Sequence, residues 1–178
     1  MDAYVYLRAE PGRVEDVLIE LTGKHGVRHA VSVVGEWDIM VAVEGPDLEA
    51  IGRTVLREIH PIEGVTRTYT CPVVPLETIG IHGGGWAMPT IPMHRQGQAC
   101  FVHMTAAVGS VASIVEALAE LEDISGVAVV AGHYDVIAEI PLPWEQASPV
   151  ILEVIHAIPG VESTNTAVAV PVSMMEEE

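Results

Sequence analysis

Eight histidines, two cysteines and a run of three glycines are the residues of this chain whose types invite a metal, a nucleophile or a phosphate. A preformed metal site needs its ligands at one point, which on a helix means i, i+4 spacing. His25 and His29 have that spacing but straddle Gly26, where a helix ends, so they share no helical face. His60 and His156 recur at the ends of corresponding segments, where an imidazole is favoured by the negative end of a helix dipole. His82, His94, His103 and His133 each occur once and read as surface or packing residues. Cys71 and Cys100 lack metal-type spacing and are too few for a disulfide framework, so both read as buried thiols. Gly83-Gly84-Gly85 follows no strand, precedes no helix and lacks the lysine of a phosphate loop. A Ser-His-Asp or Cys-His arrangement assembles in space and cannot be read from spacing. No metal and no cofactor is expected, and nothing in the spacing supports catalysis.

Charge narrows the function classes further. The 178 residues carry 8 Lys and Arg against 25 Asp and Glu, a net charge of −17. Direct nucleic-acid binding rests on clustered cations that release counterions from phosphates, so it is not expected here. Arg8, Arg13, Lys24, Arg28, Arg53, Arg57 and Arg67 precede residue 70, Arg95 is the eighth, and none follows. With 49% hydrophobic residues the chain has enough apolar side chain for a sizeable core. Met1-Asp2 runs straight into strand-like sequence with no signal peptide, and no apolar run approaches membrane-spanning length. A soluble cytoplasmic protein is expected.

An internal repeat organises these residues. Tyr4-Val5-Tyr6-Leu7, Gly12, Val14, Val17, Leu18 and Leu21 return as Phe101-Val102-His103-Met104, Gly109, Val111, Ile114, Val115 and Leu118. Gly35-Glu36-Trp37-Asp38 matches Gly132-His133-Tyr134-Asp135, and Ile59-His60-Pro61-Ile62-Glu63-Gly64-Val65 matches Ile155-His156-Ala157-Ile158-Pro159-Gly160-Val161. The units span 3–75 and 99–172, with a connector at 76–98 and an acidic tail at 173–178.

Each unit reads as strand, helix, strand, strand, helix, strand. The i, i+3, i+4, i+7 series Val14, Val17, Leu18, Leu21 and Val111, Ile114, Val115, Leu118 mark amphipathic first helices. Residues 27–34 and 37–44 form a hairpin through Gly35-Glu36, repeated at 127–131 and 134–140. Asp47 caps a second helix faced by Leu48, Ile51, Val55 and Ile59. In the second unit Pro149 predicts a shorter helix, capped by Ser148 with the proline in its first turn. The fold class is α+β: two tandem ferredoxin-like βαββαβ units, each a four-stranded antiparallel sheet with both helices on one face. Tyr4 and Tyr6 as well as Val5 and Leu7 are apolar or aromatic, so both faces of the sheet should be covered, most simply by the two sheets packing face to face as in a dimeric α+β barrel. The connector holds Ile79, Ile81, Trp86, Met88, Ile91 and Met93, too apolar for a solvated linker, and should pack on a sheet edge or a subunit contact.

The first unit resembles the effector-binding domain of Lrp/AsnC regulators. Ala-Tyr-Val in the first strand, Glu10-Pro11-Gly12, Gly35-Glu36-Trp37-Asp38, Pro46-Asp47-Leu48, Ile62-Glu63-Gly64-Val65 and Thr66-Arg67-Thr68 carry the resemblance over nearly all of 3–75. The second unit keeps the Gly-x-Tyr-Asp hairpin and Ile158-Pro159-Gly160-Val161 but lacks the Glu-Pro-Gly entry, the Pro-Asp helix start and every basic residue. Such regulators usually carry an N-terminal helix-turn-helix domain, which this chain is expected to lack. The resemblance implies a small effector, an amino acid or related metabolite, held near the hairpin where dimers meet. It also implies a homo-oligomer, a ring of chains, and a role in transcription regulation through protein partners. It places effector-binding positions at Gly35, Trp37, Asp38 and Thr68 in the first unit and at Gly132, Tyr134, Asp135 and Thr164 in the second. A hairpin Asp can accept from an ammonium, or it can bond backbone to fix its own turn; both readings stay open, as does a purely structural role for the threonines. Arg28, Arg53, Arg57 and Arg67 are candidate partners for a carboxylate, and 99–178 offers none. Two other classes remain: a haem- or metal-handling protein or enzyme of the dimeric α+β barrel kind, and a purely structural assembly module.

Overall fold

The computed structural model describes residues 1–82 and 98–170. Gly83-Gly84-Gly85, Trp86, Met88, Ile91, Met93, His94, Arg95 and the acidic tail lie outside the described residues.

In chain order the elements are β1 (Asp2–Ala9), α1 (Val14–Leu21), β2 (Val27–Val34), β3 (Ile39–Glu44), α2 (Leu48–Arg53), β4 (Val65–Val74), β5 (Cys100–Ala106), α3 (Val111–Ala119), β6 (Gly126–Val130), β7 (Val136–Ile140), α4 (Trp144–Pro149) and β8 (Val161–Ala169). The order is βαββαβ twice. Two compact units result, the first holding Met1–Thr70 with Gln98, Ala169 and Val170, the second holding the chain from Cys71 to His82 with Ala99–Val168. The strand ends at Cys71 and Ala169 therefore leave the unit in which each strand begins.

In the first unit the strands lie in the order β4-β1-β3-β2, in the second β8-β5-β7-β6. The pairing is antiparallel, with Val5 facing Val41 and Tyr6 facing Met40 in the first unit, and Val102 facing Ala138 and His103 facing Ile137 in the second. Strand alternation sends Ala3, Val5, Leu7, Ile39, Val41 and Val43 to a core with Val17 and Leu21 of α1 and Ile51, Val55 and Ile59 of the second helix. The second core repeats this with Val102, Met104, Val136, Ala138, Ile140, Ile114, Leu118, Ile151 and Ile155. Each fully buried side chain of this kind contributes about 1.5–3 kcal/mol. The opposite face is apolar and out of solvent as well: Tyr4 is 0% and Tyr6 2% exposed.

Asp47 caps α2 as expected, its Oδ1 accepting from Ala50 N at 2.9 Å. Beyond Arg53 and Pro149 both second helices widen to i→i+5 bonding over Thr54–Ile59 and Val150–Ile155, closing with His60 N on Val55 O at 2.9 Å and His156 N on Ile151 O at 3.0 Å.

Two expectations are corrected. The second helix of the second unit does not start at Ser148. It starts at Trp144 after Pro143, and Pro149 sits inside it. The reason is the four-residue period Ala147, Ile151, Ile155, all buried, which matches Ile51, Val55, Ile59 and outweighs the single bond that Pro149 cannot donate to Glu145 O. The strand after each hairpin starts at Ile39 and Val136, two residues later than expected, although Asp38 N and Asp135 N ahead of it still bond across to Leu7 O and Met104 O at 2.9 Å each. The connector behaves in its described part as its composition suggests: Leu76, Ile79 and Ile81 pack on the core of the second unit.

Candidate functional site

The hairpin ends are built alike in the two units. Asp38 turns its Oδ2 to Ala9 N at 2.9 Å, and Asp135 turns its Oδ2 to Ala106 N at 2.8 Å. Each carboxylate thus accepts from the last residue of the neighbouring strand, a backbone bond outside its own turn. Gly35 and Gly132 are exposed at the tips, and Trp37, Tyr134 and both aspartates are half-buried.

Trp37 is the centre of a cluster. Its ring centroid lies 6.2 Å from that of Tyr6 and 6.1 Å from that of Tyr69, nearly parallel to the latter at 19°. The guanidinium carbons of Arg8 and Arg67 lie over the same ring, 5.6 and 5.4 Å from its centroid. Tyr6 and Arg8 come from one face of β1, Arg67 and Tyr69 from one face of β4, through two-residue alternation. In the second unit Tyr134 meets His103 at 5.1 Å instead, and His103 Nδ1 lies 3.1 Å from Asn165 O.

Thr68 and Thr164 do not join these clusters. Thr68 Oγ1 lies 2.8 Å from His60 Nε2, and Thr164 Oγ1 lies 2.7 Å from His156 Nε2. Alternation puts Thr68 on the face of β4 opposite Arg67 and Tyr69. The repeated histidines are thus tied to the repeated threonines, a link that the helix dipole alone did not reveal.

Of the candidate carboxylate partners, Arg28 is already engaged by Asp2 and Glu44 at 3.6 Å each, and Arg53 by Glu49 at 2.8 Å. Sequence reasoning missed Arg8, although Tyr4, Tyr6 and Arg8 alternate along one strand and would have marked a face. It also missed Glu139. This glutamate is 4% exposed; Ser125 Oγ donates to its Oε1 at 2.7 Å, and its Oε2 has no partner among the described residues. Burial pushes its carboxyl above the ordinary carboxylate value, the bond from Ser125 opposing. Burial likewise pushes the Cys100 thiol up to about 11, with Glu145 adding to the shift. His29 is held below the usual imidazole value by burial first and by Arg28 second, with Glu44 opposing. Among the described residues no group of three His, Cys, Asp or Glu could hold a metal ion.

The paired hairpins and the doubled βαββαβ frame coincide with a known family. The Lrp/AsnC ligand binding domain family model matches residues 2–77 and again 99–174. The chain belongs to the Lrp/AsnC ligand binding domain family. A relative is an uncharacterized HTH-type transcriptional regulator of Pyrococcus furiosus, 34% identical over 71 residues, which are 38% of this chain and 47% of that protein. The chain spans about half the length of this curated relative. A crystal structure of a protein from Thermus thermophilus is 30% identical over 39% of this chain and 86% of its own, with a TM-score of 0.38. The siroheme decarboxylase NirDL covers 95% of this chain and 71% of its own at a TM-score of 0.68, and at 10% identity the likeness is one of fold. Among the described residues no helix is long and apolar enough to cross a membrane.

Proposed function

We propose that this Lrp/AsnC-type chain is a sensory and assembly module. It binds an amino acid or related metabolite at the hairpin end of its units, through Gly35, Trp37 and Asp38 in the first and Gly132, Tyr134 and Asp135 in the second, with Thr68 and Thr164, bonded to His60 and His156, outside the contact. It acts on transcription in the cytoplasm through protein partners and does not bind DNA directly. The observation that carries the reading is the match of the ligand binding domain to both halves of the chain. The net charge of −17 supports the absence of direct DNA contact. Self-association is part of this reading, and Leu56 and Leu152, at equivalent places on the second helices and 63% and 61% exposed, offer apolar surface for it.

A thermal-shift panel of the twenty amino acids, followed by calorimetric titration and sedimentation with the best one, tests the reading. At least one amino acid should raise the melting temperature, bind saturably and change the assembly. A panel with no response would overturn the amino-acid assignment, and a sequence-specific gel shift by the isolated chain would overturn the claim about DNA.

A second reading, a haem-handling protein or enzyme of the dimeric α+β barrel kind, is favoured by the whole-chain fold shared with NirDL. Its test is the visible spectrum of the purified protein, before and after addition of haem. An absorption band that saturates at one haem per chain would support it, and a featureless titration would remove it.

A further inference from the structure

The duplicated chain supplies its own control for the Trp37 cluster. Equivalent positions of the two units pair Tyr6 with His103, Arg8 with Thr105, Trp37 with Tyr134, Arg67 with Ser163, and Tyr69 with Asn165. In the second unit Thr105 and Ser163 are register partners across β5 and β8, and their hydroxyls bond each other at 2.5 Å. Polar groups there satisfy one another, and the frame is complete without a charge. In the first unit the equivalent places on the neighbouring strands β4 and β1 hold Arg67 and Arg8, so two like charges converge on one indole ring. Like charges placed this way destabilise a sheet.

Counter-ions are abundant, yet among the described residues none is spent here. Arg13, Arg28 and Arg53 are all paired with carboxylates, whereas no carboxylate among the described residues pairs with Arg8 or Arg67. Asp38, next to Trp37 in the chain, accepts from Ala9 N at its Oδ2. Both arginines are exposed. A guanidinium stacked on indole is held flat while its N–H edge stays available, and that edge matches the two oxygens of a carboxylate or phosphate. The nearly parallel Trp37 and Tyr69 rings add a flat apolar wall beside the charges.

The geometry points to an oxyanion site on this face of the first unit, in which Arg8 and Arg67 over Trp37 hold a small organic dianion with a flat body. This deepens the sensing role proposed above by naming the ligand class and its anchors at the site of the first unit. Two charges on the ligand neutralise two guanidiniums. The second unit, with Thr105 and Ser163 in their places, does not bind it.

Calorimetric titration of the full chain with phthalate and with inorganic phosphate is the test. Saturable binding of phthalate is expected at one site per chain, weakening as ionic strength rises. The double variant Arg8→Thr, Arg67→Ser installs residues that the second unit already accommodates. It should lose at least tenfold in affinity while melting, without ligand, at the same temperature as the parent or higher. Merely structural arginines would instead lower the melting temperature and leave affinity alone. Single Arg8→Gln and Arg67→Gln variants report the same loss should the double variant fail to fold. Saturation by phosphate in preference to phthalate assigns the site to a phosphate-bearing ligand. The inference is overturned if neither anion binds the parent, or if affinity is unchanged in the folded variants. Amino-acid responses that persist in the double variant would leave the sensing role standing while removing these anchors from it.

Discussion

Asp38 and Asp135 each end a neighbouring strand by accepting its last backbone N–H, at Ala9 and Ala106. Replacing either by alanine strands a half-buried donor, so each variant should be about 1–3 kcal/mol less stable in urea unfolding, and asparagine, which keeps an acceptor, should cost less. Any binding measurement on Asp38→Ala must therefore be made on protein shown to be folded. Glu139 calls for a different measurement. Its folded carboxyl titrates above the ordinary value because it is buried. Its contribution to stability is thus full below the ordinary carboxylate range and is lost as pH rises through the raised folded value. The parent should lose stability across that window, and Glu139→Gln should flatten the curve there. A Glu139→Gln profile parallel to the parent's would show that this carboxyl does not titrate as its burial requires.

At the scale of elements, the second helices show how far packing overrides local preference. Pro149 interrupts the bonding of a helix whose face of Ala147, Ile151 and Ile155 is nonetheless buried. Pro149→Ala should restore the bond to Glu145 O at the cost of a more flexible unfolded chain, a net gain of about 1–2 kcal/mol in thermal or urea unfolding. The turn before the last strand behaves in the opposite sense. Gly64 and Gly160 have φ of +98° and +96°, and a Cβ at Gly160 would come within 2.5 Å of the Ser110 side chain at the start of α3. Gly160→Ala should therefore cost more than the roughly 1 kcal/mol of a strained backbone alone, because Ser110 must move as well.

For the whole molecule, the units do not end where the sequence repeat ends. Val170 N bonds Ser32 O at 2.9 Å and Ser32 Oγ bonds Val170 O at 2.7 Å, so β2 of the first unit depends on the far end of the chain. Likewise β6 pairs Val129 and Val130 with Val74 and Val73 of β4. A fragment of residues 1–76 lacks the strand end that covers β2 and presents an unpaired edge. It should sediment as a dimer or aggregate, and a stable, well-behaved monomer would contradict this dependence.

The repeat, the two βαββαβ units, the first helices and the Asp47 cap were legible because period and capping chemistry are local properties. The family resemblance was legible for the same reason, since turn motifs such as Gly35-Glu36-Trp37-Asp38 sit within a few residues. What the side chains of those motifs touch was not. Asp38 meets Ala9, Thr68 meets His60, and Arg8 and Arg67 meet Trp37 only after the strands take their register. Sequence could name Arg67 and overlook Arg8, offer Arg28 and miss its engagement by Asp2 and Glu44, and stop a helix at Pro149, because each of these outcomes is decided by neighbours distant in the chain. Composition and period determine which residues form an element and which face they share. Strand register and buried packing decide which charges are left without a partner.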